Sequence, residues 1–333
     1  MAACCRLQIW NLSTPPRPRS EVILIRQLLR RLLALIPVAL GVVTITFALI
    51  HLVPGDPVVA MLGDMAAPAD IVNMRHELGL DRPLLEQYLD FLGGLAHGDL
   101  GESITTRQPV ARLIAQRFPA TLELALAGLM VAIAIACPLG VIAGAKPGGP
   151  ADLGAMGFAV MGISIPHLYL GPLLMILFSL KLRWLPLTGR GGLSHLILPA
   201  ITLGTALAAI LARMLRQSLV QVRESDYMRT AIGKGLSANA ALIRHGLRNA
   251  MLPVVTLLGL QLGGLLTGSI ITEMIFSWPG LGRLMINAIS GRDYPLVQGC
   301  VLTFALSYVL VNLATDMAYG FIDPRIRMDE KAS

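Results

Sequence analysis

The chain has 333 residues, 55% of them hydrophobic and 14% charged, with a mean hydropathy of +0.68. A water-soluble domain of this size needs far more polar surface, so the composition excludes an ordinary soluble enzyme and indicates an integral α-helical membrane protein. The formal charge of +7 does not point to nucleic acid, because the arginines gather at the ends of apolar runs, as in the cytosolic flanks of membrane helices.

Residues 1–24 are polar and rich in Pro and Arg, and carry Cys4 and Cys5. They lack the continuous apolar core and cleavage pattern of a signal peptide, and are expected as a disordered cytosolic extension. Residues 25–322 form the membrane domain and 323–333 a cytosolic tail. Six apolar runs, at about 32–53, 120–145, 154–180, 196–217, 251–275 and 298–320, each have the length a helix needs to cross the hydrocarbon core. Pro37, Pro138, Pro166, Pro172, Pro199 and Pro253 lie in or beside these runs, where neighbouring helices can re-satisfy the freed carbonyls. The stretch GLQLGGLLTGS (259–269) permits close helix approach. The four cysteines do not form a disulfide framework, and Cys137 and Cys300 sit inside apolar runs as packing residues.

Orientation follows from charge. Arg26, Arg30 and Arg31 precede the first run, which puts the N-terminus in the cytosol, and six spans return the C-terminus there. The loop 54–117 carries nine acids (Asp56, Asp64, Asp70, Glu77, Asp81, Glu86, Asp90, Asp99, Glu102) against five arginines and is expected outside. The segment 213–248 holds Arg213, Arg216, Arg223, Arg229, Lys234, Arg244 and Arg248 against Glu224 and Asp226, and is expected inside. Lys181, Arg183 and Arg190 dissent, falling on the expected outer side.

Within the outer loop, PADIVNMRHELG (68–79) predicts a short helix closed by Gly79. In LDRPLLEQYLDFLGG (80–94), Asp81 is expected to cap a helix opened by Pro83, with Leu84, Leu85, Tyr88 and Leu92 on one stripe. HGDLG (97–101) reads as a turn. The module is either packing or a docking face for an extracytoplasmic partner.

The stretch DYMRTAIGKGLSANAALIRHGLRNAMLPVV (226–255) concentrates basic charge between two apolar runs. Asp226 is expected to cap a helix over 227–234, with Lys234 at the negative end of its dipole and Gly235 as a left-handed stop. Ser237 then caps a second helix through about 249, with Pro253 marking entry into the membrane. Ala231, Gly233 and Gly235 leave the corner unencumbered. On these residues alone two readings stay open: an amphipathic connector, or a surface that slots into a partner's groove.

This corner resembles the EAA-type cytoplasmic loop of ATP-binding-cassette importer permeases: Ala231, then Gly235 four positions on, then HGLRNAMLPV (245–254). HLVPGDPV (51–58), HGDLGES (97–103), PATLELA (119–125), ILPAITLG (197–204), FSWPGLGR (276–283), RDYPLVQ (292–298) and DPRIR (323–327) follow in the order of the same family, over about 25–327. The resemblance is to the dipeptide/oligopeptide/nickel permeases. It implies an all-α membrane protein of six transmembrane helices with a cytosolic coupling helix-turn-helix and a long extracytoplasmic loop, placed multi-pass in the bacterial inner membrane. It implies a homologous second permease, two ATPase subunits and a substrate-binding protein as partners, besides membrane lipid. ATP and Mg would then belong to the ATPases, with no cofactor in this chain. Carried onto this sequence, ATPase coupling falls to Tyr227, Arg229, Ala231, Gly235, Leu236, His245, Arg248 and Asn249, within a coupling loop 218–250. Two departures stand out: Arg229 occupies the acidic first position of the pattern, and Gly233 stands where a better helix former is usual.

The chain has no GxxxxGK[ST] phosphate loop, no HExxH and no Ser/His/Asp constellation, so a transport subunit is expected rather than an enzyme. The six histidines lack metal-ligand spacing; His51 and His167 are read as hydrogen-bonding residues between helices. Asp316 is expected to pair with Arg213 or Arg216 at the inner boundary. Gln261, Thr267, Ser269 and Glu273 are candidates for a translocation path, with Glu273 alternatively an interfacial group. The leading function is an alternating-access importer of small peptides, with nickel or glutathione as alternative substrates of the same family. A self-sufficient channel or secondary carrier is the rival class, and would work without ATPase subunits.

Overall fold

The computed structural model of the chain describes residues 33, 36–48, 58–59, 66–77 and 79–322. The expected N-terminal extension, the ends of the first apolar run with His51, most of residues 49–65 and the C-terminal tail lie outside these residues. The described chain is helical: α1 (Ile36–Ala48), α2 (Pro68–Glu77), α3 (Leu84–Ala96), α4 (Val110–Ala145), α5 (Pro150–Ser164), α6 (His167–Leu174, extended by wider turns to Lys181), α7 (Leu193–Arg223), α8 (Asp226–Gly233), α9 (Ala238–Ile275), α10 (Leu281–Ser290) and α11 (Tyr294–Ile322). Helices α4, α7, α9 and α11 are each long and apolar enough to cross a membrane.

The expected single span over 154–180 is instead the pair α5 and α6, bent by 100°. Pro166 explains the break. It offers no amide hydrogen, and its ring drives Ile165 out of the helical region, to φ −93° and ψ 109°. The two arms together satisfy the length and hydropathy of one span.

The core is the seam of α4 against α7. Gly128, Ala132, Ala136, Gly140 and Gly144 recur every four residues and form one buried stripe of α4. Leucines of α7 fill it: a Cβ on Gly140 would stand 2.8 Å from that of Leu215, and one on Gly144 2.7 Å from that of Leu219. Gly204 returns the fit, its absent Cβ falling 2.5 Å from the Gly128 carbonyl. Small residues let the backbones approach where lipid supplies no hydrophobic drive of its own. Helix α9 lies beside this pair, between α7 and α11; Gly259 and Gly263 accommodate Thr315 and Tyr308 of α11.

The loop module expected outside, termed the outer module, rests on local chemistry. Gly79, at φ +65°, ends α2, with its amide on the His76 carbonyl and the Leu80 amide on that of Arg75. Asp81 does not cap α3, where Pro83 holds the cap position. Its carboxylate takes the His76 Nδ1 hydrogen bond at 2.6 Å instead, which holds the Asp81 carboxyl below the usual carboxylate range. The expected apolar stripe is also shifted. Tyr88 turns inward, its hydroxyl 2.7 Å from Thr44 and its ring edge-on to Phe47, while Leu84 and Leu85 are exposed. At the far end of the loop, Asp99 accepts from the Gly101 amide, closing the expected turn at 97–101.

Asp293 ties this module to α11. Its carboxylate is 1% exposed and accepts from the Ser103 hydroxyl and from the backbone amides of Ile104, Thr105 and Leu296. Arg190, one of the three dissenting cations, grips Glu123 and lies 5.9 Å from the Trp278 ring, a structural role that offsets its topological one.

Candidate functional site

The corner at residues 226–249 is where the sequence concentrates basic charge between two apolar runs. Helix α7 ends at Arg223, and Ser225, not Asp226, takes the cap position of α8; the Ser225 hydroxyl turns back to the Val222 carbonyl. Both residues are cap formers, and the end of α7 decides between them. Asp226 becomes the first helical residue, favourable toward the helix N-terminus. At the other end the Gly235 amide bonds to the Ile232 carbonyl and the Leu236 amide to that of Ala231. This is a Schellman closure, with Gly235 at φ +96°. Ser237 then accepts from the Ala240 amide at 3.3 Å, as its sequence position predicted.

The expected end of the second helix near 249 is not found. Ala238 to Ile275 is one helix of 38 residues that absorbs Pro253, with a wider turn over Leu242–Gly246.

Inward, Met228, Ala241, Leu242 and Ala250 join the main core, and Ala231 and Leu236 pack against it. Those last two therefore shape the corner from beneath rather than face a partner. Tyr227, Arg229, Gly235, His245, Arg248 and Asn249 are exposed. Asn249 donates to the Tyr227 hydroxyl at 2.9 Å, joining the start of α8 to α9. Exposed Ile232 stands beside Lys234, and a Cβ on Gly235 would meet open space. The result is an exposed, partly apolar knob with basic edges.

The candidate path residues divide. Thr267 lies on the exposed stripe of α9 with Leu260, Gly264 and Ile271, while Gln261 is half-buried on another face. Ser269 and Glu273 are both fully buried within this chain. Glu273 is 0% exposed and sits at the bottom of a cradle built by the FSWPGLGR loop. The Thr121 hydroxyl donates to it at 2.7 Å, the Ser269 hydroxyl at 3.1 Å and the Arg283 amide at 3.0 Å. The carboxylate thus meets the first turn of α10, a natural anion position. Trp278, fully buried, donates its indole N–H to the Ala120 carbonyl, and Thr121 accepts from the Leu281 amide. A Cβ on Gly280 would overlap the Glu273 carboxylate.

The expected ion pair is also redrawn. Arg216 binds Asp152 of α5, with Nε to Oδ1 at 2.5 Å and Nη2 to Oδ2 at 2.6 Å. The Asp316 side chain, and with it the alternative pairing to Arg213, lies outside the described residues. His167 bonds the Thr202 carbonyl through Nδ1, the inter-helix role read from sequence.

Comparison with known proteins agrees with this architecture. Residues 136–328 match the binding-protein-dependent transport system inner membrane component, and residues 24–125 its N-terminal part. The di/tripeptide permease DppB of Pseudomonas aeruginosa is 45% identical over 90% of this chain and 97% of its own length. The dipeptide permease DppB of Escherichia coli K12 is 43% identical over 90% and 98%. The glutathione permease GsiC of Pectobacterium atrosepticum is 45% identical over 90% and 98%. An inward-facing structure of the MetNI methionine transporter shares the fold, with a TM-score of 0.52 at 16% identity, over 64% of this chain and 97% of that one. With two family models spanning most of its length and these relatives aligned nearly end to end, the chain belongs to the inner-membrane permease components of binding-protein-dependent, ATP-binding-cassette importers.

Proposed function

We propose that this permease subunit carries short peptides inward across the cytoplasmic membrane. The carrying observation is 43–45% identity over nine-tenths of the chain to permeases named for di- and tripeptides, dipeptides and glutathione. Glutathione is a tripeptide, so one substrate class with charged ends covers all three names.

In this reading the first apolar run, α4, the bent pair α5–α6, α7, α9 and α11 make six spans, with both termini and the 226–249 corner in the cytosol. The knob of Tyr227, Arg229, Gly235, His245, Arg248 and Asn249 seats in a groove of an ATPase subunit. ATP and Mg bind in that partner, which performs the hydrolysis. Closure of the ATPase pair moves the corner, and the bundle alternates between inward- and outward-open arrangements. The exposed stripe of α9 with Thr267 faces the homologous second permease, and an extracytoplasmic binding protein delivers the peptide to the outer module.

The test is uptake of labelled dialanine into proteoliposomes holding both permeases, the ATPases and the cognate binding protein. Uptake should require ATP and the binding protein. Uptake by the permeases alone would overturn the reading in favour of a self-sufficient carrier.

A further inference from the structure

A cavity of about 410 Å3 opens between the outer module and the head of α11, at the opposite end of α9 from the 226–249 corner. Its floor carries a polar side chain. Gln298, 7% exposed as a whole residue, lines this cavity, and its side-chain amide has no hydrogen bond to any described residue. A side-chain amide offers both donors and an acceptor, so it can take a ligand's polar group here.

The walls carry both signs of charge. Arg82 uses one N–H on Asp90 at 3.0 Å, leaving further guanidinium donors. Glu102 also lines the cavity, and its carboxylate has no hydrogen-bond or ion-pair partner among the described residues. Phe47 and Phe91 add aromatic surface. A lipid tail would leave these charges unpaired. A simple anion would meet Glu102 and Asp90, and a simple cation would meet Arg82. A ligand with one charge of each sign and an amide has a partner among these groups for each, and the volume lies at the small end of the roughly 300–1,000 Å3 typical of small-molecule sites.

We propose that this cavity binds a short zwitterionic peptide, its carboxylate on Arg82, its ammonium group on Glu102 and Asp90, and its backbone amide on Gln298. The proposal rests on the peptide-import reading and adds to it a receiving site within the permease itself, beside the delivery face.

The experiment measures equilibrium binding of tritiated L-alanyl-L-alanine to the assembled permease–ATPase complex in nanodiscs, without binding protein. Saturable binding is expected, displaced by unlabelled dialanine and not by N-acetyl-dialanine amide, which has the same backbone without the charges. Arg82→Gln and Glu102→Gln, both at exposed positions, should each weaken binding about tenfold or more, the weight of one charge-assisted hydrogen bond. Gln298→Leu should weaken it as well, with basal ATP hydrolysis unchanged in all three variants. Absence of saturable binding, equal displacement by the capped peptide, or unchanged affinity in both charge variants would each overturn the site. Binding that appears only when the binding protein is added would overturn it too, assigning the peptide to that protein. ATP-driven dialanine uptake is measured in parallel on the wild type. Uptake without cavity binding sinks the site alone, whereas absent uptake sinks the functional reading.

Discussion

Ser103 donates its hydroxyl to Asp293 across 190 residues of chain, and this contact fastens the outer module to the head of α11. The Asp293 carboxylate also receives the Ile104 and Thr105 amides at 3.1 and 3.3 Å, so removing it strands several buried donors at once. Asp293→Ala should cost about 3 kcal/mol, with Asp293→Asn losing less because one acceptor oxygen remains. Thermal unfolding of the purified subunit, followed by size-exclusion fluorescence, checks the order. Equal melting of wild type and alanine variant would remove the fastening role.

Glu273 and Gly280 should behave as a coupled pair. Gly280→Ala alone drives a methyl group into the Glu273 carboxylate and should cost about 1–3 kcal/mol by overpacking. Glu273→Ala alone strands the Thr121 hydroxyl and the Arg283 amide. Combined, the truncated side chain makes room for the added methyl, so the double variant should lose less than the sum of the singles. Strict additivity in melting temperature would contradict the cradle.

The Asp152–Arg216 pair should hold α5 on α7. Asp152 is 4% exposed and Arg216 32%, so Asp152→Ala should destabilise the subunit by leaving the guanidinium without its partner, though less than for a pair buried on both sides. Replacing both residues together, Asp152→Ala with Arg216→Met, should recover part of that loss. The amount of folded, membrane-inserted subunit reports it, and an Asp152→Ala variant as abundant and as stable as wild type would refute the contact's weight.

Gly235 separates folding from docking. Its φ of +96° makes any side chain strained, and a Cβ there meets no atom of this chain. Gly235→Ala and Gly235→Arg should therefore share a backbone cost of about 1–2 kcal/mol. Only the arginine adds bulk toward a partner. Normal insertion with severe loss of ATPase co-purification, confined to Gly235→Arg, is the outcome expected of a docking surface; equal small losses would return the corner to a connector.

The parts of the fold legible in sequence are those decided within a few residues. Gly235 followed by Ser237 announces a stop and a start, and both form as read. The neighbouring Ser225 and Asp226 show the limit, since either can cap and only the end of α7 chooses. The surroundings of Glu273 are not legible in sequence, because its hydroxyl donor Thr121 lies 152 residues away. Asp152 escaped notice for the same reason, its partner being 64 residues on. Two features were present in sequence and went unread. The four-residue repeat of small side chains in α4 encodes its seam with α7, and the Ile165–Pro166 step encodes the bend between α5 and α6.

The unbroken course of α9 sets how a mechanical signal can travel. Thirty-eight helical residues, at about 1.5 Å each, make a bar of about 57 Å from the corner at Ser237 to the loop that seats Glu273 and Trp278. The bar rests against α7, itself locked into α4 by the glycine seam. One continuous helix thus links the 226–249 corner to the Glu273 cradle, and its single wider turn, at Leu242–Gly246, lies close to the corner end.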